Sequence, residues 1–135
     1  MRRPIPQSHA ARLFGATVDE LELEAFESLT TPVRVASGTV LMRQGHFGNE
    51  AHIVLEGELL VERDGQVVAM IGAGAAVGEH ALLLNEPRNA TVTAATDAVV
   101  AAMSRSEFST MLEQCPTIGR RILEAALVRS ASPTA

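Results

Sequence analysis

Tryptophan and tyrosine are absent from the 135 residues of this chain, and cysteine occurs once. Four phenylalanines are the only aromatic side chains of the Phe/Tyr/Trp class. Cys115 has no second cysteine to pair with, so no internal disulfide framework can form, and a reduced cytoplasmic setting is expected. No apolar stretch is long enough to cross a bilayer. Arg2, Arg3 and Pro4 are followed by polar residues instead of the apolar core of a signal peptide. Basic residues are in the minority, 11 against 16 acidic ones, for a net charge of −5. An acidic surface disfavours non-specific association with nucleic acid, and the arginine pairs at 2–3 and 120–121 are too scattered to make a basic patch. His9, His46, His52 and His80 stand apart, without the cysteine or carboxylate spacing of a metal site. No nucleophile–base set or carboxylate pair emerges either, and Gly72-x-Gly74 lacks the long helix that a dinucleotide fingerprint requires. Neither an enzyme nor a metal or cofactor protein is expected.

What is present is one domain's worth of apolar residues, 47% of the chain. Thr17 and Glu20 form a capping-box pattern that predicts a helix from Val18 to about Leu29, with Leu21, Ala25, Phe26 and Leu29 on its apolar face and Pro32 stopping it. From Val33 the period changes to two. Short runs at 33–35, 39–42, 52–55, 59–62, 67–71, 91–94 and 98–103 are separated by glycine turns, among them the hairpin signal Asp64-Gly65. About eight such strands predict a barrel or jelly roll. Ser104 and Glu107 repeat the capping box and open a second helix, and Pro116 is placed to begin a third. The expected fold is therefore mainly β, an eight-stranded β-roll (jelly roll) with one N-terminal helix and two C-terminal helices. Residues 1–11 read as a flexible arm and 130–135 as a flexible tail.

The chemistry concentrates in one segment, from Val77 to Val92. Gly78 lets a ligand approach the main chain, and Glu79–Leu84 is long enough for one or two helical turns with free N–H groups at their start. Arg88, nine positions after Glu79, supplies a donor fork that matches a phosphate, whereas Glu79 can only accept. A ligand that satisfies both carries an anionic group and a hydroxyl, as a nucleotide does. The same two residues are equally compatible with a pair of solvated side chains, worth little energy.

Gly78-Glu79, Ala81-Leu82 and Arg88-Asn89-Ala90 follow, at the expected spacing, the phosphate-binding cassette of the cyclic-nucleotide-binding domain family. The chain resembles that family over roughly residues 12–128. The resemblance implies that residues 12–129 form such a domain, with the β-roll of the family. It implies that Glu79 accepts from the ribose 2′-hydroxyl and that Arg88 binds the exocyclic phosphate oxygens. Backbone amides at His80, Ala81 and Leu82 would assist with the phosphate. The family caps the base from its last helix, so Ile122, Ala126 or Leu127 would serve here, with little power to discriminate between purines. Asn89 stands where the family often has Ala, Ser or Thr, and it leaves cAMP against cGMP open; cAMP is favoured as the commoner bacterial-type ligand. His46, Asn49, Glu50, Ala51 and His52 stand in the loop where the family often has acidic and aromatic residues, a change expected to alter turn and core contacts while sparing both anchors.

The expected function is a small regulatory sensor that signals through movement of its C-terminal helix to an unidentified protein partner. A homodimer through that helix is a further possibility. No recognition-helix segment follows, so direct nucleic-acid binding is not expected, and neither is membrane insertion. The alternative is a degenerate domain that keeps the fold and acts only by protein contact.

Overall fold

Burial along the two longest strands sets the architecture. The computed structural model describes residues 8–15 and 17–131, with side chains throughout except at 83 and 126–131. Strands β3 (Glu50–Glu56) and β8 (Ala98–Ser104) are buried over nearly their whole length, because both faces are covered. They form the centre of a four-stranded antiparallel sheet with β1 (Thr31–Val35) and β6 (Ala76–Val77), in the order β1-β8-β3-β6. A second antiparallel sheet has the order β2-β7-β4-β5, from β2 (Val40–Met42), β7 (Thr91–Ala94), β4 (Leu59–Arg63) and β5 (Gln66–Ile71).

Two cores result, one on each face of the first sheet. Ala51, Ile53 and Leu55 point one way, towards Phe14, Phe26, Phe108, Met111 and Ile118 of the helices. Val54 and Val100 point the other way, towards Met42, Leu59, Val61 and Val92 of the second sheet. The strict period of two in β3 thus feeds both a helix-side core and an inter-sheet core.

Five helices are present among the described residues, not the three expected: α1 (His9–Phe14), α2 (Glu20–Leu29), α3 (Glu79–Leu84), α4 (Arg105–Gln114) and α5 (Pro116–Ala131). Nor do the strands close into the expected eight-stranded roll. They stay in two separate sheets. The physical reason lies in the short segments near the site: β6 is two residues long and ends at Gly78, whose left-handed backbone (φ +83°) turns the chain into α3 before pairing can continue around the molecule. Part of the segment expected to be a flexible arm, His9 to Ala11, lies in α1, where Ser8 accepts from the Ala11 N–H; residues 1–7 and 132–135 lie outside the described residues.

The second helix begins two residues later than its sequence pattern suggests. Asp19, not Thr17, caps it, accepting from the Glu22 N–H, while the Thr17 and Val18 amides turn back to the Phe14 carbonyl. Its buried face differs as well: Leu21 is 78% exposed and Glu22 only 7%. The capping box Ser104/Glu107 and the start of α5 at Pro116 follow the sequence reading.

Candidate functional site

The helix α3 is entered without any side-chain cap. Gly78 occupies the N-cap position in a left-handed conformation that a β-carbon would strain, and this puts Glu79, 7% exposed, in the first turn. The helix stops after six residues at Asn85, itself left-handed (φ +54°), whose N–H returns to the Ala81 carbonyl. Beyond Pro87 the chain meets the loop between β2 and β3. There the Arg88 N–H donates to the His46 carbonyl and the Gly45 N–H to the Arg88 carbonyl, both at 2.8 Å. This two-bond pairing fixes the base of the Arg88 side chain against a loop more than forty positions earlier.

The guanidinium is buried, with the residue 7% exposed. Its Nη1 donates to the Gly78 carbonyl at 3.0 Å and its Nη2 to the Glu50 carbonyl at 2.6 Å. Two of the five N–H groups of the fork are therefore committed to placement, which orients the plane before any anion arrives. Gly48 lies against the same group: a β-carbon there would stand 2.1 Å from Nη2, and one at Gly78 would stand 2.4 Å from Nη1. Two glycines are thus the floor and wall of the arginine's seat. Burial lowers the pKa of Arg88 from its ordinary value, and the nearby Glu50 and Glu79 carboxylates oppose that effect. A buried cation and the carboxylate that opens α3 are thus near enough for the charge of one to act on the other, and between them they offer donors suited to an anion and an acceptor suited to a hydroxyl.

A profile described as the cyclic nucleotide-binding domain matches residues 32–115, a span that includes this whole arrangement. The chain belongs to the cyclic-nucleotide-binding domain family. It is 33% identical, over 76% of its length, to a cyclic nucleotide-gated potassium channel of Rhizobium etli, of which it spans 28%. It is 34% identical, over 61% of its length, to a cGMP-dependent protein kinase of Caenorhabditis elegans, of which it spans 10%. Among solved structures it is similar to the regulatory domain of a Toxoplasma gondii protein kinase crystallised with cAMP, with 32% identity, a TM-score of 0.64, and coverage of 76% of this chain and 43% of that one. The chain therefore spans between a tenth and under a third of the length of the curated relatives named. The domain shared with them is a regulatory binding domain, not a catalytic one.

Within this cyclic-nucleotide-binding domain, Arg88 is bonded to the Gly78 carbonyl, and the charge of the adjacent Glu79 acts on it. The remaining candidates are distributed more widely. His80 is exposed on α3, and Ala81 is buried. The Leu82 N–H already donates to the Gly78 carbonyl at 3.1 Å, and its side chain belongs to the helix-side core. Asn89 is exposed, and its carbonyl accepts from Arg63 Nε at 3.1 Å; Ala90 is buried in the inter-sheet core. Ile122, 1% exposed, lies in the helix-side core with Phe108 and Ile118, and so is not among the residues gathered at Arg88. The side chains of Ala126 and Leu127 lie outside the described residues.

The residues missed by sequence reasoning are Gly48 and the Glu50 and His46 carbonyls, which hold Arg88 from the β2–β3 loop. The departure of that loop from the family pattern was the one signal pointing to it. Main-chain acceptors leave no residue-type signature, so their part is visible only in the fold. No group of residues that could hold a metal ion occurs among the described residues, and no described helix is long and apolar enough to cross a membrane.

Proposed function

We propose that this regulatory domain binds a purine cyclic nucleotide, cAMP ahead of cGMP, and passes the binding signal on through displacement of α5. The observation that carries this reading is the buried Arg88 guanidinium, oriented by the Gly78 and Glu50 carbonyls beside Glu79. In it Arg88 holds the cyclic phosphate and Glu79 accepts from the ribose hydroxyl. The cAMP carried by the Toxoplasma relative supports the preferred ligand. The cGMP named for the nematode kinase keeps the second purine in play, and exposed Asn89 offers both a donor and an acceptor to either base. With Ile122 packed among the helices, base capping from α5 requires that helix to move, which motivates the signalling step. The protein that reads the movement, and pairing of two copies through α5, belong to the same proposal.

Calorimetric titration with cAMP and cGMP tests the ligand. Arg88→Ala should weaken binding by about 2–5 kcal/mol, as for removal of one member of a partly desolvated charge pair. A variant that binds as tightly as the wild type would rule out the phosphate role. Amide NMR at saturation tests the signal: resonances of α5 unchanged by nucleotide would exclude its displacement.

A further inference from the structure

One ionisable side chain lies behind the arginine's seat and takes no part in the arrangement described so far. His52, on β3, is 8% exposed, and its Nδ1 has no hydrogen-bond partner in the protein. It is the one buried histidine of the four. Its neighbours across the sheet are Val77 of β6 and Ala102 of β8. Since Ile53 points into the helix-side core, the alternation along β3 turns His52 towards the inter-sheet side, where Val77 and Val54 lie. Both carbonyls that hold the guanidinium flank this position: Glu50 is two residues before His52 on its own strand, and Gly78 follows its cross-strand partner Val77.

An orphaned nitrogen at a buried site calls for a physical reason, because such groups are normally satisfied. The charged groups around His52 supply one. Glu50 on β3 favours the imidazolium and Arg88, on the cassette, disfavours it, with burial as the largest effect holding the ring neutral. Glu79 on α3 acts on Arg88 in turn. The facing positions on β6 and β8, Val77 and Ala102, carry no charge. An anion seated on Arg88 would cancel the repulsive member of this set and add an attraction of its own.

We propose that His52 is a proton-accepting part of the ligand site, taking a proton from solvent when an anionic ligand occupies Arg88. The inference rests on the cyclic-nucleotide reading above. A cyclic phosphodiester carries one charge that does not titrate near neutrality, so proton uptake on binding must come from the protein. Binding then tightens as pH falls from 8 towards 5.5, with a limiting slope of about tenfold per pH unit for one linked proton.

The test is calorimetry with cAMP, and in parallel cGMP, in pairs of buffers of different ionisation enthalpy. The wild type should take up a fraction of a proton near pH 6.5 and gain roughly three- to tenfold in affinity over the range. Both effects should vanish in His52→Gln and persist in His9→Gln, which removes a histidine of α1 that pairs with Glu56 away from Arg88. Imidazole NMR of the wild type needs no variant to fold: the His52 ring should titrate at higher pH with nucleotide than without. Binding without proton uptake, or a His52 ring that titrates alike in both states, overturns the inference alone. Failure of either nucleotide to bind overturns the ligand assignment and takes the inference with it.

Discussion

Gly48 offers a ligand nothing, and its contribution is the space it leaves. A β-carbon there would stand within 2.6 Å of three atoms of the Arg88 fork. The flexible end of the arginine gives way more readily than the loop, which is pinned by the Gly45 and Arg88 main-chain bonds. Gly48→Ala should therefore displace the guanidinium from the Gly78 and Glu50 carbonyls while leaving the fold intact. The expected cost to nucleotide affinity is about 1.5–3 kcal/mol, that of a hydrogen bond to a charged group. Calorimetry paired with a melting curve checks it: wild-type affinity in a folded variant would show that the close approach is of no consequence. Arg88 itself illustrates a buried charge made tolerable by main-chain acceptors, since a guanidinium this far from water needs its donors engaged.

At the level of elements, the notable joint is between α2 and α5. No acidic residue stands in the first turn of α5. The carboxylate that serves its N-terminus comes instead from Glu22 of α2, which accepts from the Thr117 N–H at 3.3 Å and the Ile118 N–H at 2.9 Å. Just before the helix, the Cys115 thiol donates to the Glu22 carbonyl at 3.6 Å, and burial raises that thiol to a pKa of about 11. This anchoring explains why Glu22 is buried and Leu21 is not: the carboxylate is worth more against unpaired helix amides than in water. Glu22→Ala should lower stability by about 1–3 kcal/mol in urea denaturation, because it orphans buried donors. It should also raise amide exchange first in the opening turn of α5. Exchange that rises evenly over the whole chain, with α5 no different, would argue against a local anchor. If α5 is the moving element, this joint is where its resting position is set.

For the molecule as a whole, the inter-sheet side of the first sheet makes stability depend on pH. The folded-state pKa of His52 lies below its ordinary 6.5, chiefly because of burial. A group with a depressed folded pKa contributes stability that is present above the unfolded pKa and lost as pH falls through the folded one. The ligand-free protein should thus begin to lose melting temperature as pH drops below about 6.5, and His52→Gln should flatten that segment of the curve. Glu56, at the surface and held below its ordinary 4.5 chiefly by its hydrogen bond with His9, adds a second loss at lower pH. A melting temperature that stays level from pH 7 to 5.5 would show that His52 is not held neutral by the fold.

The local features of the chain were written into its sequence because they depend on near neighbours. The Ser104/Glu107 capping box, the Asp64-Gly65 turn with both residues left-handed, and the Glu79–Leu84 helix all follow from residues within a few positions of one another. So does the pairing of Glu79 with Arg88, since both belong to one short segment. The division into two sheets instead of a closed roll, the inward turn of Glu22 and the carbonyl seat of Arg88 were decided by contacts between distant segments. Thr117 and Ile118 meet Glu22 across more than ninety positions, and Glu50 meets Arg88 across thirty-eight. Main-chain carbonyls are the same at every residue, so no pattern of side chains announces which of them will face an arginine. The sequence by itself determined that Glu79 and Arg88 stand in one short segment, because that depends only on near neighbours; only the tertiary structure decided which main-chain carbonyls seat the arginine.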